Sequence, residues 1–202
     1  MNYSYPKKNN CSMRNIIPIL IFVCLCFACT NNKQNADNAI DNIVIASDSA
    51  NSILYYEQFL GRNIDSIPQI SNYRKENKIE SGDEGESWKS LSFSADGKNI
   101  LTMETNWADT VHISRITIVS DKIRMGSVFV GQPIKSFKND VRYSLEPSSD
   151  GYMLLQLDEH KNIHLQMDIS NVPQDSPLWL GECSVNDTPD SLCIESVILS
   201  KE

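Results

Sequence analysis

The chain has 202 residues, with 18 Lys and Arg against 26 Asp and Glu, a net charge of −8. A surface this acidic repels phosphate backbones, and no basic stripe interrupts it, so nucleic acid is not an expected partner. The length suits one domain with a tether rather than several domains.

Residues 1–28 read as a lipoprotein signal peptide. Lys7, Lys8 and Arg14 give a cationic start with no acidic residue, and an apolar run of thirteen residues follows from Ile16 to Ala28. That run is too short to span a bilayer, which takes about 20 residues. It suits the apolar core of an export signal, for which Met13 is a tidier start than Met1. The run ends Leu25-Cys26-Phe27-Ala28-Cys29-Thr30, which resembles a bacterial lipoprotein signal of the loose Bacteroidota-like type. In such signals a small residue precedes a cysteine whose thiol takes a diacylglycerol group and whose amine is freed by cleavage. Cys29 is therefore the expected lipidation site and ties the protein to a membrane. An ordinary secretory signal or a short membrane anchor is the alternative. One acyl chain holds a bilayer only marginally, with a partition constant of about 10⁴ M⁻¹, so stable anchoring needs several chains on Cys29. Thr30 in place of Asp, with no acidic run after it, favours the outer membrane facing the periplasm. Cleavage removes three of the 18 cationic residues and no acidic one, leaving 15 against 26 and a net charge of −11.

Residues 29–45 are expected to form the lipidated tether, being rich in Asn, Asp, Gln and Ala with little to bury. Residues 46–202 are expected to form a single α+β domain, mostly antiparallel sheet with two or three packed helices. Ser47 to Leu60 predicts the first helix, capped by Ser47 or Ser49 and ended by Gly61. The next stretch, Arg62 to Tyr73, sets Ile64, Ile67 and Ile70 three apart around Pro68 and fixes no conformation. Asn77 to Glu86 predicts a solvated acidic loop, since it lacks the alternating ligands and distal Glu of a calcium loop. From Trp88 the period becomes two. Leu91 and Phe93 alternate with Ser90, Ser92 and Ser94, and a turn at Asp96-Gly97 leads into Ile100 to Glu104, a hairpin.

Val111 to Val119 alternates with β-branched residues and predicts a strand with His112 among apolar neighbours. Gly126 and Gly131 bracket a tight turn rather than a phosphate loop, because no Lys-Ser/Thr follows. Pro133 then opens a short helix with Ile134, Phe137 and Val141 on one face. Gly151 to Leu157 and Ile163 to Ile169 predict a second hairpin, with Ile163, Leu165 and Met167 facing one way and His164 and Gln166 the other. Asn171 to Pro189 is an irregular excursion, and Leu192 to Leu199 a final strand.

Processing removes Cys11, Cys24 and Cys26 and commits Cys29, so Cys183 and Cys193 remain. An even pair in an oxidising compartment is expected to form a structural disulfide, worth about 2–3 kcal/mol on the loop-entropy model. No other Cys or His lies near enough for a metal site, and there is no Cys-x-x-Cys. His160 and His164 lie four apart, which shares a face only on a helix. Asp158 and Glu159 are adjacent and point to opposite faces of a strand, unlike a glycosidase dyad. A Gly-x-Ser-x-Gly elbow is missing too. The expectation is no enzyme, with no catalytic residue, metal or cofactor.

The stretch His112-Ile113-Ser114-Arg115-Ile116-Thr117-Ile118, then Gly126 and Val130-Gly131-Gln132-Pro133-Ile134, then Ile194-Glu195-Ser196-Val197-Ile198, is similar to the sigma-E-regulated lipoprotein family. The likeness spans residues 88–199. It implies an envelope lipoprotein of α+β fold with no assigned biochemical role and no catalytic residue. The expected function is a non-enzymatic module that binds an envelope protein or supports the envelope, using a sheet face or the excursion before Pro189. The alternative is a periplasmic inhibitor or immunity protein against a hydrolytic effector, for which an acidic surface suits a basic target.

Overall fold

The computed structural model describes residues 49–146, 153–173, 176, 186 and 188–201. The signal peptide, Cys29, the tether and Cys183 lie outside the described residues. Among those described, no helix is long and apolar enough to cross a membrane.

Among the described residues, eight strands form one antiparallel sheet: β1 (Arg74–Ser81), β2 (Ser87–Ala95), β3 (Lys98–Glu104), β4 (Arg115–Ile118), β5 (Tyr143–Glu146), β6 (Met153–Leu157), β7 (Ile163–Met167) and β8 (Ile194–Ser200). Their order is β1-β2-β3-β4-β8-β7-β6-β5. Two meanders of consecutive strands are thus joined through their last members, β4 and β8. The pleat sends alternate side chains to opposite faces, and one face is apolar: Leu91, Phe93, Met103, Ile116, Leu165, Val197 and Leu199 are all fully buried there. The helix α1 (Ile53–Glu57) and the turns around it bring Ile53, Tyr56, Phe59, Ile64, Ile134 and Phe137 into the same core.

This architecture corrects the α+β expectation of two or three helices. The described residues hold one α-helix of five residues and short 3-10 turns at Ser49–Asn51, Ile64–Ser66 and Ile134–Ser136, so the fold is mostly β. The predicted helix at Ser47 to Leu60 shrinks because Ser52 sits extended (φ −101, ψ 131) and makes no side-chain cap bond. Gly61 ends the segment at φ +77, as expected. At Ile134 to Val141, a spacing of three suits a 3-10 turn as well as an α-helix. Ile134 and Phe137 are buried, but Phe137 leaves the helical region at φ −127.

The solvated loop predicted at Asn77 to Glu86 is, through Ser81, part of edge strand β1. Almost every β1 residue is exposed, so no buried face imprints a period on the sequence. The strand predicted from Val111 to Val119 is confined to Arg115–Ile118. β5 was not expected. The two hairpins and the last strand fall where the alternation puts them. In the first hairpin, Asp96 and Gly97 have φ +53 and +73, the two positive values that a tight two-residue turn needs.

The two meanders are copies of one plan. Leu60-Gly61-Arg62-Asn63-Ile64-Asp65-Ser66-Ile67 matches Val130-Gly131-Gln132-Pro133-Ile134-Lys135-Ser136-Phe137, and Tyr73 and Tyr143 keep the same spacing. Gly61 N–H donates to Ile113 O at 2.8 Å, Ile113 N–H to Arg62 O at 2.9 Å, and Ile64 N–H to Val111 O at 2.9 Å. Gly131 N–H donates to Ile194 O at 2.8 Å, Ile194 N–H to Gln132 O at 2.9 Å, and Ile134 N–H to Leu192 O at 2.9 Å. These bonds equate Ile113 with Ile194, and continuing along the strands equates Thr117 with Ile198. Thr117 and Ile198 are directly paired across the β4–β8 seam, as a two-fold axis passing between them requires.

Gly61 and Gly131 both hold left-handed backbone, φ +77 and +87. A side chain there costs about 1–2 kcal/mol. Gly61→Ala and Gly131→Ala should each destabilise by that amount in chemical denaturation, and a neutral Gly131→Ala would remove the strain argument.

Candidate functional site

The helical turns all feed the core on the apolar face. The opposite face carries Ser, Thr, Gln and charged side chains from β1 to β5, and separate groups of hydrogen bonds are spread across it. Ser90 Oγ–H donates to Glu80 Oε1 at 2.9 Å, and Trp88 Nε1–H to Glu104 Oε1 at 3.3 Å. Arg115 sends Nε–H and Nη2–H to Glu104 Oε2 at 2.9 and 2.7 Å. Ser200, paired with Arg115 in the sheet, places Oγ 3.3 Å from His164 Nε2, and His164 Nδ1 lies 2.7 Å from Glu146 Oε2. A parallel strip holds Ser92 and Thr102, Thr117, and the Ser196 hydroxyl that donates to Gln166 Oε1 at 3.1 Å. Leu154 and Ile198 stand half-buried amid these polar groups, outside the core and outside the residues packed on it.

Ser200, His164 and Glu146 stand in the order of a nucleophile, a base and an orienting acid. A hydrolytic site also needs free donors aimed at an oxyanion. Here Ser200 N–H is taken by Asn162 O at 3.0 Å and Lys201 N–H by Ser114 O at 3.1 Å. β8 is flanked on both sides by paired strands, so its backbone offers no such pair. The hydrogen bonds of the array hold these side chains in fixed rotamers across the face.

The other residues singled out by the sequence lie apart. His160 Nδ1 is 3.7 Å from Glu57 Oε1, so His160 and His164 serve different partners. Among the described residues no group of His, Cys, Asp and Glu could hold a metal ion. Cys193 is half-buried with Sγ 3.6 Å from Ser191 O; its expected partner Cys183 lies outside the described residues. Asp158 sits beside the β6–β7 turn, paired with Lys161 at 3.5 Å.

His112 is exposed rather than set in a strand, with Nδ1 2.8 Å from Asp109 Oδ2. That hydrogen bond, and the backbone N–H groups of Val111 and His112, pull the Asp109 carboxyl down to about 2. Because the folded value lies below the unfolded one, the stabilisation is present above about pH 4 and is lost as pH falls through about 2. The amide shifts of Val111 and His112, followed by NMR, should titrate near pH 2, and a midpoint near 4 would contradict the assignment.

Sequence reasoning read both faces of β7 and missed that the polar one continues across the sheet. The recurrence of Gly-x-x-Ile-x-Ser at Gly61 and Gly131 was the available signal for two joined meanders.

No family model and no curated protein matches the chain. Among solved structures, the chain is similar to the uncharacterized protein YfeY from Escherichia coli, with a TM-score of 0.46 and 14% identity. The match covers 64% of this chain and 82% of that one. A likeness this distant carries neither fold nor function across.

Proposed function

We propose that this protein is a non-enzymatic lipoprotein, anchored through Cys29 at the outer membrane facing the periplasm, and that it binds another envelope protein through the polar face of its sheet. The observation that supports the reading is the pairing of a hydrogen-bonded polar network with three apolar contacts on one face: Trp88, Leu154 and Ile198. Interfaces of this make-up place apolar anchors inside a polar surround. The resemblance to sigma-E-regulated lipoproteins and the signal at residues 1–28 preceding Cys29 support this compartment.

Chemical crosslinking in native envelopes with mass spectrometry tests this in wild type and Cys29→Ala. A discrete adduct in the wild-type membrane fraction, displaced or lost in the variant, is expected. Absence of any adduct in either form would sink the reading. Recovery of a basic cell-wall hydrolase would turn it toward an inhibitor, for which the net charge of −11 is suited.

The Cys183–Cys193 disulfide belongs to the same proposal, since it requires an oxidising compartment. Maleimide labelling of the unfolded mature protein without reductant should find no free thiol, and two labelled cysteines would remove the bridge.

A further inference from the structure

A cavity of about 520 Å³ opens between the turn leading into β5, the β6–β7 turn and the segment ahead of β8. Its size falls in the range of small-molecule sites, about 300–1,000 Å³. Four charged side chains line it, Lys138 and Arg142 against Asp158 and Asp190, so their charges cancel. Lys138 Nζ is committed to both oxygens of Asp190 at 2.6 and 2.7 Å. The Arg142 guanidinium has no such partner among the described residues.

Thr188 also lines the cavity. It is 94% buried, since only 6% of it is exposed, and among the described residues its Oγ1 has no hydrogen-bond partner. An orphaned buried hydroxyl is costly unless something arrives to satisfy it. Burial pushes the Tyr143 hydroxyl above its ordinary range, so it stays a neutral donor and acceptor at the cavity wall. The copy of this region in the first meander is stopped differently. Gln69 donates its amide to the carbonyls of Ser71 and Tyr73, whereas Asn139, its counterpart, lines the cavity.

We propose that this cavity binds a neutral, multiply hydroxylated small molecule, a mono- or disaccharide. The cancelled charges disfavour a net anion or cation. The Arg142 guanidinium can donate and the Asp158 carboxylate accept at the cavity wall, which suits hydroxyls that do both, and the Thr188 hydroxyl gains a partner. This reading does not depend on the partner face.

The test is isothermal titration calorimetry on the full-length protein in a detergent without sugar headgroups. The probes are maltose, N-acetylglucosamine, glutamate and inorganic phosphate. One of the two sugars should saturate at millimolar concentration or below, and the two ionic probes should not. Thr188→Val and Asp158→Asn should each weaken that binding about tenfold. Thr188→Val keeps the side-chain shape and removes the orphan, so its Tm should not fall. No saturable sugar binding, tighter binding of glutamate or phosphate, or unchanged affinity in both folded variants would overturn the proposal.

Discussion

Phe93→Ala should remove about 3–5 kcal/mol of stability. Phe93 is fully buried on the apolar face of β2, opposite Leu101 of β3. The truncation loses the transfer energy of the ring and leaves a void that the sheet cannot close. Domains of this size are stable by about 5–15 kcal/mol, so the change takes a large share. It should appear as a fall in the urea midpoint with an unchanged slope. Leu165→Ala, in the other meander, should cost about 2–5 kcal/mol. The core is one cluster across both meanders, so each variant should unfold in a single transition. Two transitions, with Leu165→Ala moving only one, would show that the β4–β8 seam does not couple the halves.

Ile198→Glu should weaken partner binding by about 100-fold, close to 2.7 kcal/mol. Ile198 sits on the polar face at the seam, paired with Thr117 on one side and His164 on the other. A carboxylate there would have to be desolvated in the interface, and it would join Glu104 and Glu146 on the same face. The fold should notice little. Ile198 is half-buried and outside the core, so its loss should cost about 1 kcal/mol in strand preference. Measured against the partner recovered by crosslinking, an affinity within twofold of wild type would remove the face from the interface.

What the sequence discloses depends on burial. β2, β3, β6, β7 and β8 each bury one face and leave the other mostly half-buried and polar, and their alternation places them within a few residues. β1 buries almost nothing, so Lys78, Ile79 and Glu80 look like loop. Ile79 is 75% exposed and gives no hint of which side faces the core. The helices were overestimated because Ile134 and Phe137 satisfy a 3-10 turn at the same spacing, and only tertiary packing decides between the two. The order of the strands was not legible, since pairing of β4 with β8 joins residues far apart in the chain. The candidate face suffered most. His164 looks inert on its own, and it gains partners only when β5 brings Glu146 and β8 brings Ser200.

The most direct measurement places a photo-crosslinking amino acid at Thr117, at the centre of the polar face, and separately at exposed Lys122 outside it. Both variants are irradiated in native envelopes and the adducts identified by mass spectrometry. A single envelope protein captured from position 117 and not from 122 is the predicted result. Capture from 122 with none from 117 would contradict the assignment of the polar face as the binding surface.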